Sequence, residues 1–263
     1  MKSFIFIIPL TPNCYLNETR EALQSICLNV LLKQSYTNWT ALLVGKNAKY
    51  KNDDSRFIYI EEDGQKFEKL KIASDYIVQN SLKGDFIIRL DDDDVFNPNI
   101  LSEIVNIDFD MYVDLYQSFW HYETGKTSKK VWNWFANTCI HKREIALLEL
   151  ERKDGSKVHL IETDHSKLHK YYIGKKVIFA NKSNPIYLRS ISDTSITANN
   201  SKSHFKYLKS FGNWKTNRYK SFSFLKKLSQ NKNTKLPTFT IKETLINILI
   251  GKNSKREMVQ MFK

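Results

Sequence analysis

Asp91, Asp92, Asp93 and Asp94 stand in a row inside GDFIIRLDDDDVFNPN, Gly84–Asn99. Carboxylates within about 4–6 Å raise one another's pKa and cost stability, so four of them at the end of an apolar run need a positive partner. A solvated acidic turn is the plain alternative. Hard divalent cations such as Mg2+ and Mn2+ want carboxylate oxygens and share their remaining positions with phosphate. One such ion would relieve the repulsion between Asp91 and Asp93. Alternation along an extended chain points Asp92 away from its neighbours, so Asp92→Asn is expected to be much milder than a change at Asp93. His165 and His169, four apart, also have metal-ligand types. No acidic partner at a suitable spacing accompanies them, and a surface pair is the simpler reading.

The elements before the acidic row give it a position. SFIFIIPL (3–10) is a continuous apolar, β-branched and aromatic run, as for a strand covered on both faces. NETREALQSICLNVLLKQ follows with helical spacing, Asn17 as N-cap, and Leu23, Ile26, Cys27, Val30 and Leu31 on one face. WTALLVG and RFIYIEEDG read as the next two strands, a helix is expected over about 67–81, and DFIIRL is a fourth strand. Strand and helix alternate over these ninety or so residues, the signature of a parallel sheet with crossover helices. Ligands of such sheets bind beyond the carboxyl ends of the strands, and the acidic row stands at such an end. Further on, DMYVDLYQSFWHYETG suggests antiparallel strands. VWNWFANTCIHKREIALLEL runs from strand or loop into a helix, VHLIETDHSKLHKYY is a loop entering a helix, and KVIFANKSNPIYLRSIS holds two short strands.

At 263 residues the chain suits one α/β domain with an appendage. Its net charge of +13 is unevenly spread: residues 1–200 hold 26 Lys and Arg against 26 Asp and Glu, and residues 201–263 hold 15 against 2. A neutral body with a basic end is expected of a protein that docks on something anionic. Cys14, Cys27 and Cys139 have no metal-type spacing and read as reduced thiols of a cytoplasmic protein. The opening MKSFIFIIPLTPN reads as a first strand and not a signal peptide. No run approaches the roughly 18 apolar residues of a spanning helix, so membrane association would be peripheral.

The ordered set FIFIIPL, LLKQSYTNW, ALLVG and KGDFIIRLDDDDVFNPNIL resembles the nucleotide-sugar domain of GT-A glycosyltransferases. Bacterial family 2 enzymes, whose matching strand ends in D-x-D-D, and rhamnosyltransferase-like sequences with R-L-D-x-D-D are the nearest in pattern. The resemblance covers residues 3–105 well and 130–197 loosely. It implies an α/β, Rossmann-like GT-A catalytic domain over 1–198 with a mostly parallel central sheet. Residues 1–105 would be its nucleotide-sugar-binding half and 106–198 its acceptor-side half, with 199–263 a basic, aromatic-rich C-terminal extension. Carried over by position, Pro9 and Thr11 would line the nucleoside pocket. Asp91 would face the ribose or the metal, and Asp93 would coordinate the Mn2+ or Mg2+ that bridges the diphosphate. Asp94 would be a structural or acceptor-side neighbour. Lys71 would approach the phosphates, with a solvated helix face as the alternative, and Tyr187 or Arg189 would contact the diphosphate unless they belong to a plain edge strand. The general base of an inverting transfer would be Asp164, or else Glu162, with helix capping as the bland role for this segment. One departure is VGKNA: Gly45 and Lys46 occupy the place where the family carries a base-binding Asp.

The implied activity is metal-dependent, inverting sugar transfer from a nucleotide-diphosphate donor to a saccharide or lipid-linked saccharide in bacterial surface glycan synthesis, in the cytoplasm or on the inner face of the plasma membrane. Two other classes compete. FIIRLDDDDVF also fits the haloacid-dehalogenase phosphatase pattern, with Asp91 as nucleophile and Asp93 as acid/base, although that motif belongs on a first strand. The basic, aromatic segment HFKYLKSFGNWKTNRYKSFSFLKK suits a nucleic acid. It suits an anionic membrane equally, through Phe205, Tyr207, Phe211, Trp214, Phe222 and Phe224 and an amphipathic KETLINILIGK. On the membrane reading, removal of everything after about Ser201 releases the protein from anionic vesicles and leaves nucleotide binding in place; packing of this region on the catalytic domain is the alternative.

Overall fold

In the computed structural model, which describes residues 1–46, 53–129, 137–192, 214–216 and 218–228, the six apolar-run residues of β1 (Phe4–Pro9) are all buried. Their alternation explains the layers. Phe4, Phe6 and Ile8 face Cys27, Leu28 and Leu31 of α1 (Glu18–Leu32), while Ile5 and Ile7 face the opposite layer. Asn17 caps α1 by accepting the Arg20 N–H at 3.0 Å. β2 (Trp39–Val44) and β3 (Phe57–Ile60) follow. The helix α2 (Lys66–Gln79) then lays Leu70, Ala73 and Ile77 on the Ile5 and Ile7 side. Burial of each such side chain contributes about 1.5–3 kcal/mol. A Gln65–Glu68 capping box fixes where α2 begins.

β4 (Phe86–Arg89) completes the alternating half, and β5 (Val95–Phe96), α3 (Ile100–Ile104), β6 (Met111–Val113), β7 (Ser118–His121), β8 (Thr127–Lys129) and β9 (Ile140–Lys142) follow. The remaining elements are α4 (Arg143–Ala146), β10 (Glu149–Glu151), β11 (Lys157–His159), β12 (Val177–Phe179) and β13 (Tyr187–Ile191). The central sheet has the order β12-β6-β9-β4-β1-β2-β3. Its pairings are parallel except where β9 lies antiparallel between β4 and β6. A second sheet, β5-β13-β7-β8, stands beyond the acidic row, and β10 pairs β11 as a hairpin.

Several expectations change at this level. The two strands of DMYVDLYQSFWHYETG are antiparallel to a neighbour, as expected, but in different sheets: β6 pairs β9 in the central sheet and β7 pairs β8 in the second one. The chain crosses at Asp114, whose buried carboxylate accepts the Ile186 N–H at 2.8 Å. The helix expected after Cys139 is only the four residues of α4, because β9 takes up the preceding residues and β10 the following ones. His165–Tyr172 is a 3-10 helix. The cysteines form no disulfide. Among the described residues no helix is long and apolar enough to cross a membrane.

The described part of the C-terminal extension, 214–216 and 218–228, is no loose tail. Lys215 pairs with Thr127, and Tyr219, Phe222 and Leu225 are buried against Leu23, Val30, Val95, Trp120, Tyr122 and Leu188. The Tyr219 hydroxyl meets Ser118 Oγ at 2.8 Å. Phe222 is therefore unavailable for membrane insertion, and Phe224 packs on the same cluster. Phe205, Tyr207, Phe211 and KETLINILIGK lie outside the described residues. Truncation after Ser201 would uncover this cluster. Phe222→Ala is expected to lower the unfolding free energy by about 3 kcal/mol through the cavity it leaves, measured by urea denaturation of the full chain.

Candidate active site

β1 and β4 are hydrogen-bonded neighbours, and the ladder continues past their ends, with Leu90 N–H donating to the Ile7 carbonyl at 3.0 Å. The segment Leu10–Pro12 and the acidic row thereby lie side by side. Between them and the start of α2 is a cavity of about 310 Å3. Pro9, Leu10, Thr11, Pro12 and Tyr15 line one side, Gln65, Lys66 and Lys69 another, and Arg20, Asp91, Asp92, Asp93, Arg189 and Ser190 the rest.

Each of the four aspartates has a different partner. Lys66 Nζ donates to Asp91 Oδ1 at 2.5 Å. Burial opposes the charged form of Asp91, but Lys66, Arg89 and Arg189 outweigh it and hold the carboxyl well below the usual range. Asp93 Oδ2 accepts Arg20 Nη1 at 2.5 Å, while burial, and then nearby Asp91, push its pKa up. Asp94 accepts the Ser190 N–H at 3.0 Å, and burial with Asp93 and Asp91 raises it far above an ordinary carboxyl. Asp94 therefore anchors the β13 backbone next to Arg189.

Asp92 has more partners than its neighbours. Its side chain does point away from its neighbours, but into a buried strap. It accepts Thr11 N–H at 2.6 Å and Gln24 Nε2 at 2.5 Å on Oδ2, and the Thr11 hydroxyl at 2.9 Å on Oδ1. Burial, then Asp93, push its pKa up to about 6 against the pull of the Thr11 bonds. An asparagine there could keep its oxygen on the Thr11 and Gln24 N–H groups and turn its N–H2 to the Thr11 hydroxyl, which can accept.

The cations also differ from the expected set. Lys71 pairs with Asp75 at 2.7 Å on the outer face of α2 and does not line the cavity. Lys66 and Lys69 do so instead. Their spacing of three shares a helix face with Leu70, Ala73 and Ile77, a signal present in the sequence. Arg189 lines the cavity from β13, and Tyr187 is buried in the core. Gly45, in the place of a base-binding Asp, is tight: a Cβ there would stand 2.7 Å from Leu10 Cβ. The acidic row follows the fourth strand of the sheet and not the first, so the phosphatase pattern lacks its usual place.

Asp91 and Asp93 fit a hard cation by donor chemistry. Each keeps one carboxylate oxygen outside its ion pair among the described residues. A Mg2+ or Mn2+ shared with phosphates needs only one or two protein carboxylates. Among the described residues no three His, Cys, Asp or Glu side chains are grouped to hold a metal by themselves, and this covers His165 and His169.

The two base candidates separate. Glu162 is 2% exposed and accepts His159 N–H at 3.1 Å and Ser74 Oγ at 2.5 Å, closing the capping box of a short 3-10 turn over Leu160–Glu162. Both bonds fall on Oε1 and hold the turn. The Asp164 side chain is 55% exposed, 3.6 Å from His165 Nδ1, and opens on a groove that Phe67, Leu150, Arg152, Tyr171 and also Glu162 line. Phe67 lines this groove and its neighbour Lys66 lines the cavity, so the start of α2 borders both. Arg89, buried at the end of β4, links the two: its Nη1 donates to the Thr163 carbonyl at 3.1 Å, and Asp91 and Asp164 both lie within its field. A lone arginine in an apolar run, FIIRL, was the sequence signal for it. Burial, then Arg89, lower the pKa of His165.

No family model matches the chain, and no curated protein matches it. Among solved structures it is similar to residues 1–349 of TarS from S. aureus in complex with UDP-GlcNAc, at 11% identity and a TM-score of 0.49, over 79% of this chain and 64% of that one. It is similar to Rv0371c from Mycobacterium tuberculosis H37Rv in complex with manganese, at 10% identity and a TM-score of 0.39, over 79% of this chain and 98% of that one. A third is the inositol-1-phosphate CTP transferase from T. maritima, at 12% identity and a TM-score of 0.44, over 87% and 98%. The chain thus spans less than two thirds of the TarS fragment.

The separation of Glu162 from Asp164 can be measured. Glu162→Ala leaves the His159 N–H without its acceptor and turns the Ser74 hydroxyl to the Lys71 carbonyl at 2.9 Å, and is expected to cost about 1–3 kcal/mol of unfolding free energy. Asp164→Ala is expected to change stability by less than about 0.5 kcal/mol. Urea denaturation of the two variants checks both.

Proposed function

We propose that the chain transfers a sugar from a nucleotide-diphosphate donor to a hydroxyl of a saccharide or lipid-linked saccharide, with inversion, in bacterial surface glycan assembly. One observation carries the reading. A single cavity beyond the carboxyl ends of β1 and β4 gathers two carboxylates of hard-cation type, Asp91 and Asp93, with the cations Arg20, Lys66, Lys69 and Arg189. An anionic ligand fits the cations, and a diphosphate fits cations and carboxylates together if a divalent ion joins them.

On this reading the nucleoside lies against Pro9, Thr11 and Tyr15, and the Asp92 strap holds Thr11 in place before the donor arrives. Asp91 and Asp93 would hold Mn2+ or Mg2+ through their remaining oxygens. When bound, that ion supplies Lewis-acid neutralisation of the leaving diphosphate. Lys66 and Arg189 approach the phosphate oxygens from the two sides of the cavity. The acceptor enters by the groove that Asp164 opens on. Its oxygen attacks the anomeric carbon as Asp164 takes the hydroxyl proton, the bond from that carbon to the diphosphate oxygen breaks, and the nucleoside diphosphate leaves with the electron pair. The reading places the enzyme on the cytoplasmic face of the membrane, with basic residues of 201–263 as its contact to anionic lipid.

Calorimetry with a panel of nucleoside diphosphates and nucleotide sugars, with and without Mn2+, tests the donor reading; a chain that binds none of them overturns it. Asp93→Ala is expected to abolish transfer and metal-dependent nucleotide binding while the protein stays folded. Asp164→Asn is expected to lower turnover about 10²- to 10⁴-fold with donor affinity nearly intact, measured by steady-state kinetics beside donor titration. Retention of anomeric configuration in the product would remove the need for this base.

A further inference from the structure

Lys69 is 1% exposed, and although Asp63, Asp92 and Glu62 lie within its electrostatic reach, among the described residues it makes no ion pair with a carboxylate. Its Nζ makes one hydrogen bond, to the Leu10 carbonyl at 2.9 Å. An ammonium has three donors, so two are left over, and the side chain lines the cavity. Burying a charge without a partner is costly. On this helix face, beside Leu70, Ala73 and Ile77, an uncharged side chain would pack without that cost. The neighbouring cations are placed differently: Lys66 is spent on Asp91 and Arg20 on Asp93, each at 2.5 Å. Lys66 also stands at the mouth, with its side chain 40% exposed, while Lys69 reaches in one turn deeper. Its anchor is rigid, because Leu10 N–H is itself bonded to the Val44 carbonyl at 2.9 Å. An ammonium held this way loses little freedom when it meets a ligand.

We infer that Lys69 is a ligand-binding residue, whose ammonium donates to an anionic oxygen of the molecule in the cavity. Resting on the proposed donor reading, that oxygen belongs to the diphosphate. The partner that Lys69 lacks in the protein arrives with the substrate, and the Leu10 carbonyl keeps the amine aimed until then.

The test uses the full chain with Lys69→Met, which removes charge and donors, and Lys69→Gln, which keeps a donor for Leu10 without the charge. Inorganic pyrophosphate, a panel of nucleoside diphosphates and the matching nucleosides are titrated by calorimetry, and thermal unfolding is followed in parallel. The expected result is a Kd for pyrophosphate and for the nucleoside diphosphate raised at least about tenfold in both variants, with Tm unchanged or higher. Unchanged affinities with a lowered Tm would make Lys69 a strut for Leu10 and overturn the inference. A loss confined to nucleosides, with pyrophosphate unaffected, would overturn it in favour of a base or ribose contact. A wild-type chain that binds pyrophosphate through Lys69 but no nucleoside diphosphate sinks the donor reading and leaves this assignment standing. A nucleoside diphosphate bound equally well with and without Lys69 does the reverse, and a wild-type chain that binds neither overturns both.

Discussion

Mutual repulsion among Asp91, Asp92, Asp93 and Asp94 is the constraint around which this half of the molecule is arranged. Four adjacent carboxylates cannot all sit at a buried strand end unless each is compensated separately. The compensation comes from separate elements: Lys66 opens α2, Arg20 and Gln24 belong to the first turns of α1, Thr11 follows β1, and Ser190 lies in β13. One turn of chain thereby fixes how two helices, a strand and a loop approach one another. The cavity is the space left inside that arrangement. Its lining alternates in charge because the groups that neutralise the turn are the same ones that face inward.

Continuous apolar runs made β1, β2 and β4 legible from sequence, since a strand buried on both faces leaves little choice of side chain. The acidic row's place at a carboxyl end followed from the alternation of elements. β6, β9 and β12 were harder: at three residues each they are set by partners far along the chain, and no local period announces that β9 runs against its neighbours. Glu162 and Asp164 looked equivalent as residue types. Only the fold reveals that Ser74, 88 positions upstream, takes one of them out of solvent. Lys71 has the solvated helix face as its alternative role, and helix phase alone distinguishes it from Lys66 and Lys69, which line the cavity.

The basic excess beyond residue 200 leaves docking on an anionic surface and packing on the catalytic domain both open, because charge marks the outward positions and says nothing of the inward ones. Tyr219, Phe222 and Leu225 sit among Lys and Arg and complete the hydrophobic layer between α1 and the second sheet. Arg20, on the same helix as Leu23 and Val30, is thus backed by packing from the far end of the chain.

The single hydrogen bond from Arg89 to the Thr163 carbonyl has a bearing on motion. Arg89 ends a strand in the middle of the central sheet, whereas Thr163 leads into the exposed Asp164. A hydrogen bond to a charged group contributes about 1.5–3 kcal/mol, which corresponds to an open population of the 163–165 segment about 10- to 100-fold smaller than without the tether. The segment therefore travels with the sheet as one body for most of its time. The Thr163 N–H and hydroxyl also donate to the Leu160 carbonyl, at 3.0 and 2.7 Å, so the guanidinium shares the restraint of this segment with them.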